Sequence, residues 1–279
     1  MAQGEFAGSR WEMASREPWA PLRPYVRRLV GYDELSPHPQ SQRQFPETFV
    51  VLIIEFGAPL RVTLGADERT GAQHPGGFVA GLGDSFAITE HDGSQRGVQV
   101  DLTPMGARRF FGIPLSELSE RIVTLRDLLP AEHASLPDQL EASAGWVARL
   151  DLVEELLTRR MLSSRIDTAH VDWAVAQIEA SGGGLEVGWL AREMGYSRKH
   201  LIALFHDQVG VPPKLLAQLV RFQRVIRQAR SGAPTRWAEL AMAHGYCDQA
   251  HLAREVRRFT GLTPTQARLA GSELADLFG

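Results

Sequence analysis

LAREMGYSRKHL (Leu190–Leu201) and LAMAHGYCDQAHL (Leu240–Leu252) are two copies of one pattern, and their comparison decides how the C-terminal third folds. Leu190, Ala191, Gly195 and Tyr196 recur fifty positions later as Leu240, Ala241, Gly245 and Tyr246. His200, Leu201, Gly210 and Pro213 recur fifty-one positions later as His251, Leu252, Gly261 and Pro264, so the second copy has one extra residue before its His-Leu. The spacing predicts a short helix in each copy, over Val187–Met194 and Trp237–His244, stopped by a Gly able to take the left-handed conformation. The Ala after each Leu leaves room for a second helix to approach closely. Ser197 and Asp248 then stand as N-caps that accept from orphan helix N–H groups. They open helices predicted over Arg198–Gln208 and Gln249–Phe259, with Leu201, Leu204 and Phe205 inward in the first and Leu252, Val256 and Phe259 in the second. Each copy is thus a helix-turn-helix, at about 187–208 and 237–259.

Between the copies, Pro213–Arg230 reads as a Pro-started helix with an apolar face through Leu215, Leu216, Leu219, Phe222 and Ile226. At about 1.5 Å per residue it is a rod of about 27 Å. A rod of that length holds two recognition helices near the ~34 Å that separates successive major-groove faces. Arg221, Arg224, Arg227 and Arg230 form a polar stripe along it, a solvated face or a row of phosphate contacts.

The charge is unevenly shared. From Gly184 to Ala270 there are 13 Lys+Arg against 6 Asp+Glu, while the rest of the chain holds 17 against 27. A basic segment on an acidic body is the electrostatic footprint of a nucleic-acid-binding module.

At 279 residues the chain is long enough for two domains, expected at 1–165 and 166–279. The first ~45 residues, rich in Pro, Arg and Ser, are expected to wrap the surface. Short β-prone runs follow at Phe49–Phe56, Leu60–Leu64, Phe78–Leu82, Phe86–Thr89 and Gly97–Leu102, predicting an antiparallel sandwich or barrel over about 45–103. In the last run Val98, Val100 and Leu102 alternate with Gln99 and Asp101, the period of a half-buried strand. After Pro104, helical spacing appears at Met105–Phe111, Leu115–Arg121 and Trp146–Leu162, which places helices at about 105–162. The stripe Leu150, Val153, Leu156, Leu157, Met161 either packs on the sheet or serves as a dimer seam. Ser163–His170 reads as a linker.

The double helix-turn-helix, with GVPP after the first copy and GYCDQAHL…FTGLTP in the second, resembles the AraC/XylS family of transcriptional regulators over about Asp172–Leu269. The stretch Gly97–Leu129 is similar to the sensor side of some of its members. The resemblance implies an α+β chain: an N-terminal cupin-like antiparallel β domain with helices, and a C-terminal all-α double helix-turn-helix domain. It implies double-stranded DNA as partner and RNA polymerase as a second. An N-terminal domain that binds a small-molecule effector, forms a homodimer, or both is implied as well. It also places DNA contacts at the first turns of the two second helices: Ser197, Arg198, Lys199, His200, Ile202 and Ala203, then Gln249, Ala250, His251 and Arg254, with Ala253 facing the groove. Residue chemistry agrees in part. Arg254 suits guanine O6/N7 and Gln249 suits adenine N6/N7, whereas Ile202 and Ala203 meet only a thymine methyl. Lys199 and Arg221 are expected on phosphates, fixing register rather than sequence. His200 and His251 each precede a core Leu, so partial burial competes with a DNA role for both.

Other chemistries are poorly represented. His38, His74, His91 and His133 lack close ligand spacing, and no metal or other cofactor is expected. Asp84, Glu90, Asp92 and Asp101 fall in or beside the predicted sheet, as an effector pocket or a solvated rim. No nucleophile elbow, phosphate loop or dinucleotide fingerprint is present, so no enzyme is expected. The competing readings are a protein-interaction module and a cupin-type enzyme with an accessory helical domain. The longest apolar run, Phe49–Ile54, is far short of the ~20 residues a membrane helix needs. With no signal peptide and a single cysteine, Cys247, the expected compartment is the cytoplasm.

Overall fold

A computed structural model describes residues 1–6, 8–66, 71–231 and 236–270. In chain order it contains strands β1 (Ala2–Phe6), β2 (Ser9–Arg16), β3 (Val26–Leu35), β4 (Gln40–Gln44), β5 (Val50–Glu55), β6 (Arg61–Leu64), β7 (Ala72–Gln73), β8 (Gly77–Ala80), β9 (Ala87–His91) and β10 (Ser94–Leu102). Helix α1 (Pro104–Phe111), strand β11 (Ile122–Thr124) and helices α2 (Leu125–Leu128), α3 (Pro130–Ala142) and α4 (Gly145–Ser163) complete the N-terminal half. The C-terminal half is all helix: α5 (Ala169–Ala180), α6 (Val187–Glu193), α7 (Arg198–Gln208), α8 (Pro213–Arg230), α9 (Trp237–Ala243), α10 (Gln249–Thr260) and α11 (Pro264–Leu269).

The strands form two antiparallel sheets, β1-β2-β3-β10-β5-β8-β11 and β4-β9-β6-β7. Strand β10 lies at the centre of the larger one, with Val98 opposite Gly31 of β3 on one side and Ile54 of β5 on the other. The uninterrupted run Val50–Ile54 follows from this position, because both faces of β5 are covered. Val50, Leu52 and Ile54 join Val98, Val100 and Leu102 against Met105, Phe110, Trp146, Leu150, Val153 and Leu157 of α1 and α4. Ile53 points the other way, toward Leu60, Val62 and Phe78. The α4 stripe therefore packs on the sheet, which settles that alternative. Gly31 makes the packing possible, since a Cβ there would lie 2.3 Å from the Trp146 ring.

Two expectations are corrected. Four strands precede residue 45, where a surface-wrapping segment was expected and the sheet was placed only at about 45–103. Pro18, Pro21 and Pro24 crowd the approach to β3, and Gly31 interrupts its apolar pattern, so strand periodicity is masked there. Leu115–Arg121 is not a full helix: only Leu115–Glu117 form a 3₁₀ turn, and the chain then extends into β11. Pro114, just before the turn, and Glu120, at a φ of 53°, frame a turn too short for a regular helix.

Candidate nucleic-acid interface and inter-sheet cavity

The two helix-turn-helix units form as the repeat predicts. Gly195 and Gly245 end α6 and α9 in the left-handed region, at φ of 69° and 74°. The Ser197 hydroxyl accepts from the His200 N–H at 3.2 Å, and the Asp248 carboxylate accepts from the His251 N–H at 2.6 Å. Leu201 and Phe205 of α7, and Leu252, Val256 and Phe259 of α10, are buried. Both second helices thereby present their first turns outward. Ser197, Arg198, Lys199, His200, Ile202 and Ala203 are exposed on the first, and Gln249, Ala250 and Arg254 on the second. His251 is half-buried, its ring edge-on to Tyr246 at 5.2 Å, while exposed His200 meets Tyr196 at 4.6 Å. The Arg198 guanidinium folds back over Gly188 of α6.

The α8 arginines are less uniform than the stripe suggested. Arg224 and Arg227 are exposed. Arg221 instead donates to the Gly245 carbonyl at 3.2 Å and lies over the Tyr246 ring at 5.2 Å. Arg230 donates to the carbonyls of Ala267 and Ala270.

The N-terminal half grips both units from the side away from these first turns. Arg108 pairs with Asp207 of α7 at 3.3 Å, and Asp84 pairs with Arg258 of α10. Arg43 of β4 donates to the Thr260 carbonyl at 3.1 Å. Phe45 packs edge-on against Phe222 of α8 at 6.1 Å, and Gln223 donates to the Pro46 carbonyl at 2.6 Å. Asp84, expected at a pocket or rim, is thus a seat for the second unit.

A cavity of about 200 Å³ opens between the two sheets. Its apolar wall includes Val30, Ile53, Leu60, Val62 and Phe78, and its polar wall includes Gln42, Gln44, Glu47, Gln95 and Gln99. Gln223 and Arg230 of α8 close one side. Tyr32 reaches it with a buried hydroxyl that has no hydrogen-bond partner among the described residues. Burial, and then Asp101, push the Glu47 carboxyl up to about 8 against the pull of Arg28, Arg27 and Arg227, so at neutral pH it is largely a neutral donor. Asp101 is buried beside Arg28, whose Nε lies 2.7 Å from its carboxylate. Asp101 was among the pocket-or-rim candidates of the sequence, but sequence reasoning missed the residues that line the cavity. The available signal was the two-residue step Arg28, Val30, Tyr32 and again Gln42, Gln44, which puts each set on one strand face.

The histidines do not gather. His74 and His91 are buried singly, and burial lowers the pKa of each. Among the described residues no group of three or more His, Cys, Asp or Glu is placed to hold a metal. Cys247 is exposed in the turn before α10. No helix among the described residues is long and apolar enough to cross a membrane.

Comparison with known proteins meets this geometry at the second unit and most of the first. Residues 190–270 match a family described as a helix-turn-helix domain, spanning α7 to α11 and the end of α6. The match falls on the stretch whose sequence resembles the AraC/XylS regulators. The architecture around it is an antiparallel β domain with helices followed by a helical double helix-turn-helix, the α+β arrangement expected from the sequence. Residues 15–124 match a domain of unknown function (DUF6597), which covers most of the sheets. No curated protein matches. Among solved structures, ToxT from Vibrio cholerae is 10% identical, with a TM-score of 0.47 over 84% of this chain and 98% of that one. An AraC-type regulator from Chromobacterium violaceum is 24% identical, with a TM-score of 0.32 over 34% and 86%. The C-terminal domain of AraT from Geobacillus stearothermophilus is 22% identical, with a TM-score of 0.35 over 39% and 93%.

Proposed function

We propose that this chain is an AraC-type regulator that reads a two-element duplex site with the first turns of α7 and α10, and that a small molecule in the inter-sheet cavity alters that reading. The domains are taken as 1–165 for sensing and 166–279 for DNA. In the first element Arg198, Lys199, His200, Ile202 and Ala203 face the groove, with Ser197 at its edge. In the second, Gln249, Ala250, His251 and Arg254 do so, and Gln249 and Arg254 supply the base-reading hydrogen bonds. The observation that carries the regulatory part is the double use of α8. This helix joins the two units, and it also closes the cavity through Gln223 and Arg230. A ligand with different affinity for two placements of α8 would shift DNA affinity by that difference. Contact with RNA polymerase and dimerisation remain what the family resemblance implies, and the cytoplasm is the compartment where such a regulator meets its DNA.

Selection of bound sequences from a random duplex pool tests the DNA reading. The expected product is an asymmetric motif with two elements about one helical turn apart. Absence of any enriched motif would sink it. For the cavity, duplex affinity is measured with and without a small-molecule library, on the wild-type chain and on Val62→Phe. The response is expected to vanish in the variant while binding alone persists. Compounds that act equally on both would place the effector elsewhere.

A further inference from the structure

The second helix-turn-helix unit buries an acidic side chain where the first has an apolar one. The fifty-one-residue offset aligns Glu255 of α10 with Leu204 of α7. Leu204 does what the pattern asks and packs against the shared core. Glu255 is a carboxylate only 5% exposed, in the middle of a helix that buries Leu252, Val256 and Phe259 beside it. A carboxylate buried there is tolerated only if its oxygens are satisfied. Both are. The buried Tyr246 hydroxyl donates to one oxygen at 2.6 Å, and Gln218 of α8 donates to the other at 3.0 Å. Burial, followed by the carboxylate itself, raises the Tyr246 pKa, which keeps the phenol as donor. Arg221, one turn along α8 from Gln218, covers the Tyr246 ring and ties down Gly245.

The first unit has no counterpart to this arrangement. Its tyrosine, Tyr196, is half-buried and turns toward α5, where its hydroxyl lies 3.1 Å from His170 Nδ1. Against α8, then, α7 is held by packing, whereas α10 is held there by a directional polar bridge through Glu255 to Gln218. Apolar contacts tolerate small rotations, whereas two hydrogen bonds to one carboxylate fix an angle.

We infer that Glu255 is a positioning residue for DNA recognition: by joining Tyr246 to Gln218 it sets the angle of α10 on α8, and with it the spacing between the two DNA-reading helices. Its neighbour Arg254 points outward, so a rotation of α10 moves that side chain directly. Glu255 touches no DNA and acts through the helix that carries Arg254.

The test uses the full chain and duplexes selected by the wild-type protein, rebuilt with the spacing between the two elements changed by one or two base pairs either way. Three variants are compared: Glu255→Gln, Glu255→Leu and the fully apolar Tyr246→Phe/Gln218→Leu/Glu255→Leu. The apolar triple variant leaves no polar group unpaired, so its thermal midpoint is expected to stay near wild type. Its affinity for the original spacing is expected to fall at least tenfold. Its discrimination between spacings should flatten, while mutation of the first element costs as much as in the wild type. Glu255→Gln retains one acceptor and is expected to recover part of the spacing preference. If Glu255→Leu proves unfolded, the triple variant and Glu255→Gln still decide the matter. Unchanged affinity and an unchanged spacing optimum in a folded triple variant would overturn the inference, as would losses that follow the thermal midpoint alone.

Discussion

At the scale of single residues, exposure separates readers from anchors. Arg254 and Lys199 are both exposed on first turns of the second helices, yet they differ in what DNA offers them. Arg254→Ala is expected to cost about 1–3 kcal/mol at the selected site and to relax one base preference. Lys199→Ala should weaken cognate and random duplexes alike and lower the salt slope by about one, because a phosphate contact releases one counterion. Competition titrations at several salt concentrations check both, and equal losses on cognate and random DNA for Arg254→Ala would make it a phosphate contact. Glu55 is a different kind of residue, a carboxyl 2% exposed whose oxygens face the Leu60 N–H at 3.1 and 3.3 Å. Burial raises it to about 8 against a usual 4.5, with the Leu60 hydrogen bond opposing. The folded state thus holds a proton that the unfolded state has lost between those values. Stability should therefore fall as pH rises from about 5 to 8, by at most about 1.4 kcal/mol per pH unit for this group. Glu55→Gln, which retains an acceptor for Leu60, should flatten part of that slope in urea titrations; an unaltered slope would acquit Glu55.

The elements show what the sequence could disclose and what it could not. The C-terminal helices were legible because each boundary has its own local chemistry. Ser197 and Asp248 cap, Gly195 and Gly245 stop, and the repeat checks one copy against the other. Those devices act alone, so Asp248→Ala is expected to cost about 0.5–2 kcal/mol, measured as a drop in the thermal midpoint and a loss of second-element binding before first-element binding. The N-terminal strands were less legible for the opposite reason. Strand β3 depends on partners far along the chain, with Gly31 admitting the Trp146 ring from α4 and its apolar residues divided between a helix layer and a cavity. No local period records such a division. The cavity was hidden in the same way, since its residues come from both sheets and α8 and meet only after folding. The first-turn positions named for DNA were readable as positions, while the inward turn of Arg221 onto Gly245 and Tyr246 was not.

For the whole molecule, the question is whether the β domain and the DNA-binding helices form one cooperative unit. Their apolar residues belong to one continuous core, from Val98 and Leu102 through Phe110 to Phe205, Leu216, Phe222 and Phe259. The end of β4 and the residues just after it are the most concentrated joint. Within four residues they provide Arg43 to Thr260, Phe45 to Phe222 and Pro46 to Gln223, while Arg43, Phe45 and Glu47 also line the cavity. A strip that touches both the cavity and α8 can transmit ligand occupancy only if the two halves move as alternatives rather than independently. The wild-type chain is therefore expected to unfold in a single thermal transition. Phe45→Ala removes the ring wedged between Phe222 and the Arg230 guanidinium, 5.3 Å away, and should cost about 3–5 kcal/mol if the site cannot close around the gap. Part of that loss falls on the joint itself, so the variant should resolve into two transitions by calorimetry while its duplex affinity without effector changes little. Two transitions already present in the wild type, or one retained in Phe45→Ala, would mean that the strip does not bind the halves together, and the route from cavity to α8 would have to run through Gln223 and Arg230 alone.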